Sequence, residues 1–181
     1  MIEIELKGYA NDEIFGKVRE RFKFMRKEMH EDIYYQHPCR DLSKTDEALR
    51  IRIKRFDGHF EVFLTYKGPK LDNISKTRKE IEVPISDVDA YSDLLTSLGF
   101  REVLTIVKVR EKYYVEKGVT ITLDEVEGLG QFIEIEKLVK EGNIEEEVNK
   151  LRKILKELGV KKFERKSYLE LLLEKQEGKK L

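Results

Sequence analysis

The side chains with most chemical potential in this chain are carboxylates and cations spaced two residues apart. Glu3, Glu5 and Lys7 alternate with Ile2, Ile4 and Leu6, and Glu134 and Glu136 alternate with Ile133 and Ile135. Successive side chains of a strand point to opposite faces, so each set shares one face. Four carboxylates so placed offer hard oxygen donors of the kind that Mg²⁺ or Mn²⁺ accepts together with substrate phosphates. Basic residues follow the same rhythm: Arg50, Arg52 and Lys54 oppose Leu49, Ile51 and Ile53, while Lys108, Arg110 and Lys112 oppose Thr105, Val107 and Val109. Lys67, Arg78, Glu80, Glu82 and Asp124 also lie on polar faces of alternating segments. Guanidinium groups fixed on strands suit phosphoryl oxygens. Together these residues describe a phosphoryl-transfer site in which positioning and charge neutralisation supply most of the rate.

Period-2 alternation predicts the elements that must position them: strands over 2–8, 31–37, 48–56, 59–67, 77–84, 104–116, 119–126 and 131–138. Asp57-Gly58, Lys117-Gly118 and Glu127 to Gly130 read as hairpin turns. Helical periodicity predicts four helices, over about 11–24, from Ser86 to Gly99, from Asn143 to Gly159 and from Ser167 onward; the last three have capping-box spacing. No repeat or low-complexity linker interrupts the 181 residues, which predicts one domain over 1–181. Seven of the eight strands carry a charged face, and like charges two residues apart repel. Two arrangements accommodate them. Either the strands close into a barrel, with apolar faces packed outward on the helices and charged faces around a lumen, or an open sheet carries an ion-pair-rich wet face. Buried charges in a lumen are tolerable only if the two signs neutralise each other and a polyionic ligand with metal fills the rest.

Composition narrows the function classes. Thirty-six Lys and Arg balance 36 Asp and Glu for a formal net charge of +0, which disfavours nucleic acid or an anionic membrane as partner. An oligonucleotide-binding barrel would need an exposed basic and aromatic surface. Cys39 is the single cysteine, so no internal disulfide or cysteine zinc cluster forms. Met1 to Leu6 lack the pattern of a signal peptide, and the longest apolar run, Leu171 to Leu173, is far short of a membrane span. A cytoplasmic protein is expected. His30, His37 and His59 lack helical metal-pair spacing, and Gly128-Leu129-Gly130 lacks the Lys-Ser/Thr of a P-loop. Residues 68–76 form a candidate lid or a plain connection, and the leucine stripe of the last helix is a candidate homodimer surface.

Glu3-Ile4-Glu5-Leu6-Lys7 resembles the amino-terminal ExExK signature of the CYTH domain, named for class IV adenylate cyclases and thiamine triphosphatases, among the triphosphate tunnel metalloenzymes. The resemblance continues in order through His30 to Tyr35, Ala48 to Arg52, Thr65 to Pro69, Arg78 to Glu82, Lys108 to Arg110, Leu123 to Gly130, Phe132 to Glu136 and Lys166 to Tyr168. Asp41 to Arg52 and Leu123 to Glu136 look most like the cyclase branch. The resemblance implies an α+β fold: an eight-stranded antiparallel β-barrel, or triphosphate tunnel, with flanking helices. It implies Mg²⁺ or Mn²⁺ on Glu3, Glu5, Glu134 and Glu136, with Asp124 nearby and Glu80 and Glu82 contributing. It implies phosphate contacts from Lys7, Arg50, Arg52, Lys67, Lys108 and Arg110, joined by Arg78 and Lys166. The implied activity is conversion of ATP to cyclic AMP and pyrophosphate, with hydrolysis of an organic or inorganic triphosphate as the alternative. A non-catalytic nucleotide or polyphosphate binder would use the same tunnel.

Overall fold

The structure, a computed structural model, describes residues 2–70, 78–139 and 144–178. The elements run β1 (Ile2–Tyr9), α1 (Asp12–Arg21), β2 (Lys23–Gln36), a 3₁₀ turn (Leu42–Thr45), β3 (Ala48–Phe56), β4 (His59–Lys70), β5 (Arg78–Ile85), α2 (Val88–Ser97), β6 (Arg101–Glu116), β7 (Val119–Val126), β8 (Gly130–Val139), α3 (Ile144–Glu157), β9 (Phe163–Glu164) and α4 (Tyr168–Glu177). All strands join one antiparallel sheet in the order β5-β4-β3-β2-β6-β7-β8-β1-β9.

The expected closed, eight-stranded barrel is therefore corrected to an open, nine-stranded sheet. β5 is one edge, and its Pro84, opposite Phe63, has no N–H to give to a further strand. The other side of β1 is taken at Lys7 and Gly8 by the two-residue β9. The sheet nevertheless curls far enough that Lys67 on β4 feels the charge of Glu5 on β1. β2 is the second difference, since it starts at Lys23 rather than near residue 31 and pairs with β6 along almost its whole length.

The alternation sorts apolar side chains to the convex face. Ile4, Leu6, Ile121, Leu123, Ile133 and Ile135 are buried there against Ile14, Phe15 and Val18 of α1 and Val148, Leu151 and Leu155 of α3. Ile51, Ile53 and Val62 pack with Leu95 of α2. Each fully buried aliphatic side chain contributes about 1.5–3 kcal/mol, which fixes the register and so commits the other face to its charges. α4 behaves differently from the other helices. Ser167 forms a capping box with Glu170, and Leu169, Leu171 and Leu172 pack with Ile106, Val126 and Phe132. By alternation these last three lie on the charged side of the sheet, so α4 covers one end of the trough. None of the described helices is long and apolar enough to cross a membrane.

Candidate active site

The concave face encloses a cavity of about 470 Å³ whose ionic half is lined by Glu5, Lys7, Asp32, Arg50, Arg52, Lys54, Lys67, Glu80, Lys108, Arg110, Glu134 and Glu136. Strand register brings them together: Glu5 faces Glu136 and Lys7 faces Glu134 across β1 and β8, Asp32 faces Arg52 across β2 and β3, and Lys67 faces Glu80 across β4 and β5.

Two carboxylates anchor the cations. Asp124 has no exposed surface; its oxygens accept from Lys108 Nζ at 3.0 Å, from Arg110 Nε and Nη2 at 2.6 Å each, and from Tyr168 Oη at 2.9 Å. Asp32 accepts from Arg52 Nε and Nη2 at 2.5 Å each, and Arg50 Nη1 stands 3.5 Å away. Burial alone would raise the Asp32 carboxyl, but Arg52 and Arg50 hold it well below the usual carboxylate range. Arg110 also donates to Glu134 and lies 3.8 Å from Glu136. Burial and the neighbouring Arg110 lower the Lys108 ammonium to about 8, with Asp124 opposing. Arg50 is almost fully buried; its Nη1 donates to Asp32 and to the Tyr34 hydroxyl, and its Nε has no acceptor among the described residues.

Glu5, Glu134 and Glu136 form a different kind of group. Each brings a carboxylate oxygen to within 4.8 Å of the others. Burial pushes the Glu136 carboxyl up, Glu5 and Glu134 add to the rise, and Arg110 opposes it. Three hard oxygen donors this close to one another fit a divalent cation such as Mg²⁺ or Mn²⁺.

Residues 1–168 match the CYTH domain. The chain belongs to the CYTH family. This CYTH chain is 46% identical over 179 residues to the Methanocaldococcus jannaschii protein named "Putative adenylate cyclase MJ0240", a match covering 94% of the chain and 98% of the relative. Its structure is similar to that of the PH1819 protein from Pyrococcus horikoshii OT3, with a TM-score of 0.93 and 79% identity over 96% of the chain and 99% of that protein. It shares its fold, at a TM-score of 0.69 and 20% identity over 94% of the chain and 93% of that protein, with a Hippeastrum adenylyl-cyclase-like protein described as having a dominant triphosphatase activity.

Not every expected residue of this CYTH chain reaches the cavity. Glu3 pairs with Leu138 in β1, but its side chain lies outside the described residues, as does that of Arg78. Asp124 is the anchor of two cations and is not in the three-carboxylate cluster, because Lys108, Arg110 and Tyr168 occupy its oxygens. Glu82 accepts from Thr65 and lies 3.9 Å from Lys54, a residue of the cavity wall that Glu82 itself does not line. Lys166 Nζ turns outward to Glu174 at 2.7 Å, while its backbone carbonyl accepts from Lys7 Nζ. The candidate lid also changes: residues 68–70 extend β4 and 71–77 lie outside the described residues.

Sequence reasoning placed His30, Asp32 and Tyr34 in the family motif without a site role and did not single out Glu28; all four are buried. Their signal was present in the spacing of residues 28, 30, 32 and 34, which share the concave face of β2. Tyr168 was placed in the family motif, but its hydroxyl contact to Asp124 needs the fold.

Proposed function

We propose that this CYTH protein is a metal-dependent enzyme that converts ATP to cyclic AMP and pyrophosphate. The observation that carries the reading is the cavity that Glu5, Glu134 and Glu136 line together with Lys7, Arg50, Arg52, Lys67, Lys108 and Arg110. The name of the M. jannaschii relative, at 46% identity over nearly both full lengths, supports cyclase chemistry. Glu5, Glu134 and Glu136 would hold the Mg²⁺ or Mn²⁺, which when bound supplies charge neutralisation and lowers the pKa of the attacking oxygen.

The protein's own groups do the rest. Arg50 and Lys67 approach from β3 and β4, Lys108 and Arg110 from β6 and Lys7 from β1, so a triphosphate is gripped from several sides. Asp32 and Asp124 keep the guanidiniums of Arg52 and Arg110 in place before substrate arrives, which is the preorganisation that makes electrostatic stabilisation effective. In the reaction the ribose 3′-oxygen gives its proton to solvent water and bonds to the α-phosphorus as the bond from that phosphorus to the bridging oxygen of the β-phosphate breaks, its electron pair leaving with pyrophosphate. Burial of the cations strengthens their hold on the charge that accumulates on the departing pyrophosphate.

Hydrolysis is the second reading. The same cations would hold any triphosphate, and a protein of this fold is described as a dominant triphosphatase. Incubation with ATP, thiamine triphosphate or inorganic triphosphate in Mg²⁺ or Mn²⁺, with products resolved, separates them. Cyclic AMP and pyrophosphate are expected; orthophosphate as the main product would replace the first reading by the second, and absence of turnover would defeat both.

A further inference from the structure

Two of the cations that line the cavity are lysines taken almost wholly out of water: Lys7 on β1 and Lys108 on β6 expose 2% and 3% of their surface. A lysine ammonium sits on a flexible four-carbon stem and lacks the planar fork that orients a guanidinium. Arg52 and Arg110 are each aimed by two donor contacts to one carboxylate, Asp32 and Asp124 respectively. The lysines are aimed in another way, by the carboxyl-terminal segment. Lys7 Nζ donates to the Lys166 backbone carbonyl and stands over the Tyr168 ring, 4.2 Å from its centre. Lys108 Nζ, which also donates to Asp124 at 3.0 Å, stands over the same ring at 5.1 Å.

β7 and β8 separate β1 from β6 in the sheet, so one aromatic ring spans the gap between two cations that no strand pairing brings together. The negative face of an aromatic ring attracts an ammonium, most strongly where water is excluded, and it offsets the repulsion between two ammoniums that share it. The ring itself is fixed. Its hydroxyl donates to Asp124 at 2.9 Å, and it meets Phe132 edge-on with centroids 5.0 Å apart. The backbone beneath it is fixed as well: Glu164 accepts from the Lys166 N–H and from the Tyr9 hydroxyl, each at 2.8 Å, and Ser167 closes the capping box with Glu170. Lys166 turns its carbonyl inward and its ammonium outward to Glu174. The segment thus orders cations of the cavity without adding its own.

We propose that Tyr168 is a positioning residue for the triphosphate, its ring holding the Lys7 and Lys108 ammoniums in the cavity before the anion arrives. The inference rests on the triphosphate reading given above and extends it from the cations to the group that orders two of them. An ammonium already held in place loses less freedom when an anion binds, so its preorganisation appears as affinity. The ring faces do this work, and the hydroxyl keeps the ring in place.

The test is a double-mutant cycle on Mg·tripolyphosphate binding, measured by calorimetry. Tyr168→Leu, which keeps an apolar side chain but removes the ring, is expected to weaken binding about 10- to 30-fold, whereas Tyr168→Phe, which keeps the ring, should stay within about threefold of the parent. In a Lys7→Met background, where Lys108, Arg50, Arg52, Lys67 and Arg110 still grip the anion, the cost of Tyr168→Leu should fall at least about threefold, because residues that act through one another are not additive. A merely structural tyrosine would cost the same factor in both backgrounds, and that result would overturn the inference, as would unchanged affinity in Tyr168→Leu or an equal loss in Tyr168→Phe. The parent protein supplies a check that needs no variant: ring current should move the NMR signals of the Lys7 ε-methylene protons upfield of the ordinary lysine position, and signals at that ordinary position would also overturn it. In each of these cases the triphosphate reading stands; failure of the parent to bind Mg·tripolyphosphate would overturn that reading and this inference with it.

Discussion

At the scale of single residues the concave face contains carboxylates of two electrostatic kinds. Asp32 and Asp124 are saturated by arginine and lysine donors and are held ionised despite burial. Glu136 sits among other carboxylates, and burial and those neighbours raise its proton affinity. A group whose folded pKa is raised above its unfolded value opposes folding once pH exceeds the unfolded value. Glu136→Gln is therefore expected to raise the Tm of the metal-free protein at pH 7, while abolishing stabilisation by Mg²⁺. Thermal melts with and without Mg²⁺ check both halves, and a lower Tm in metal-free buffer would refute the assignment. Lys108 gives the second test. Its ammonium is lowered to about 8, so in the ligand-free enzyme the charge is present below that pH and lost above it. Since kcat/KM reports ionisations of the free enzyme, it should fall as pH rises through about 8. In Lys108→Arg, whose side chain stays charged, the alkaline limb should disappear even if the rate is lower throughout; an unchanged limb would assign it to another group.

At the scale of elements, one close approach ties the site to the carboxyl-terminal segment. A Cβ on Gly8 would lie 2.4 Å from Val160 Cγ1 and 3.2 Å from the Lys162 carbonyl oxygen. Val160 is buried in the main core, so it has no room to turn away. Gly8→Ala is expected to cost about 1–3 kcal/mol by overpacking and to loosen β9 from β1, visible as faster amide exchange at Gly8 and Tyr9, whose N–H donates to Lys162 O at 3.0 Å. Protection equal to the parent's would show that the segment adapts without cost. Such long-range packing explains what the sequence makes legible and what it does not. Alternation located β3, β7 and β8 closely because their apolar faces are continuous, and the helix-stop glycines Gly99 and Gly159 sit at positive φ where expected. The first half of β2 was illegible because Phe24, Met25 and Met29 leave apolar side chains exposed while Glu28 and His30 are buried, which inverts the usual pattern. β9 has only two residues and exists through its pairing with β1. The open edge had a readable sign in Pro84, but the pull toward closure came from the charges, and a deep curl satisfies them without a final ladder. Among the site residues, the strand carboxylates and cations were readable from spacing; the division between anchors such as Asp124 and the cluster around Glu136 depends on which strands are neighbours.

At the scale of the whole molecule, zero net charge conceals a strong separation. One face of the sheet is hydrocarbon packed on α1, α2 and α3, and the other gathers lysines, arginines and carboxylates into one cavity. The convex packing fixes the strands, and the fixed strands hold like charges close together against their repulsion. Stability and binding are thus opposed in the ligand-free protein, and a ligand that neutralises the concave face removes a cost that the core otherwise offsets. Mg²⁺ with tripolyphosphate should therefore stabilise the fold, by about 2.7 kcal/mol at 100 times the Kd, which corresponds to ~5–10 °C at the usual ~2–4 °C per kcal/mol for a chain of this size. The effect should need both components, because tripolyphosphate alone meets Glu5, Glu134 and Glu136 as like charges, and a divalent cation held by those carboxylates would offset that repulsion. Melting curves with each component singly and together measure this. A rise with both that exceeds the sum of the separate rises is expected, whereas simple additivity would mean that metal and phosphate bind at places that do not communicate.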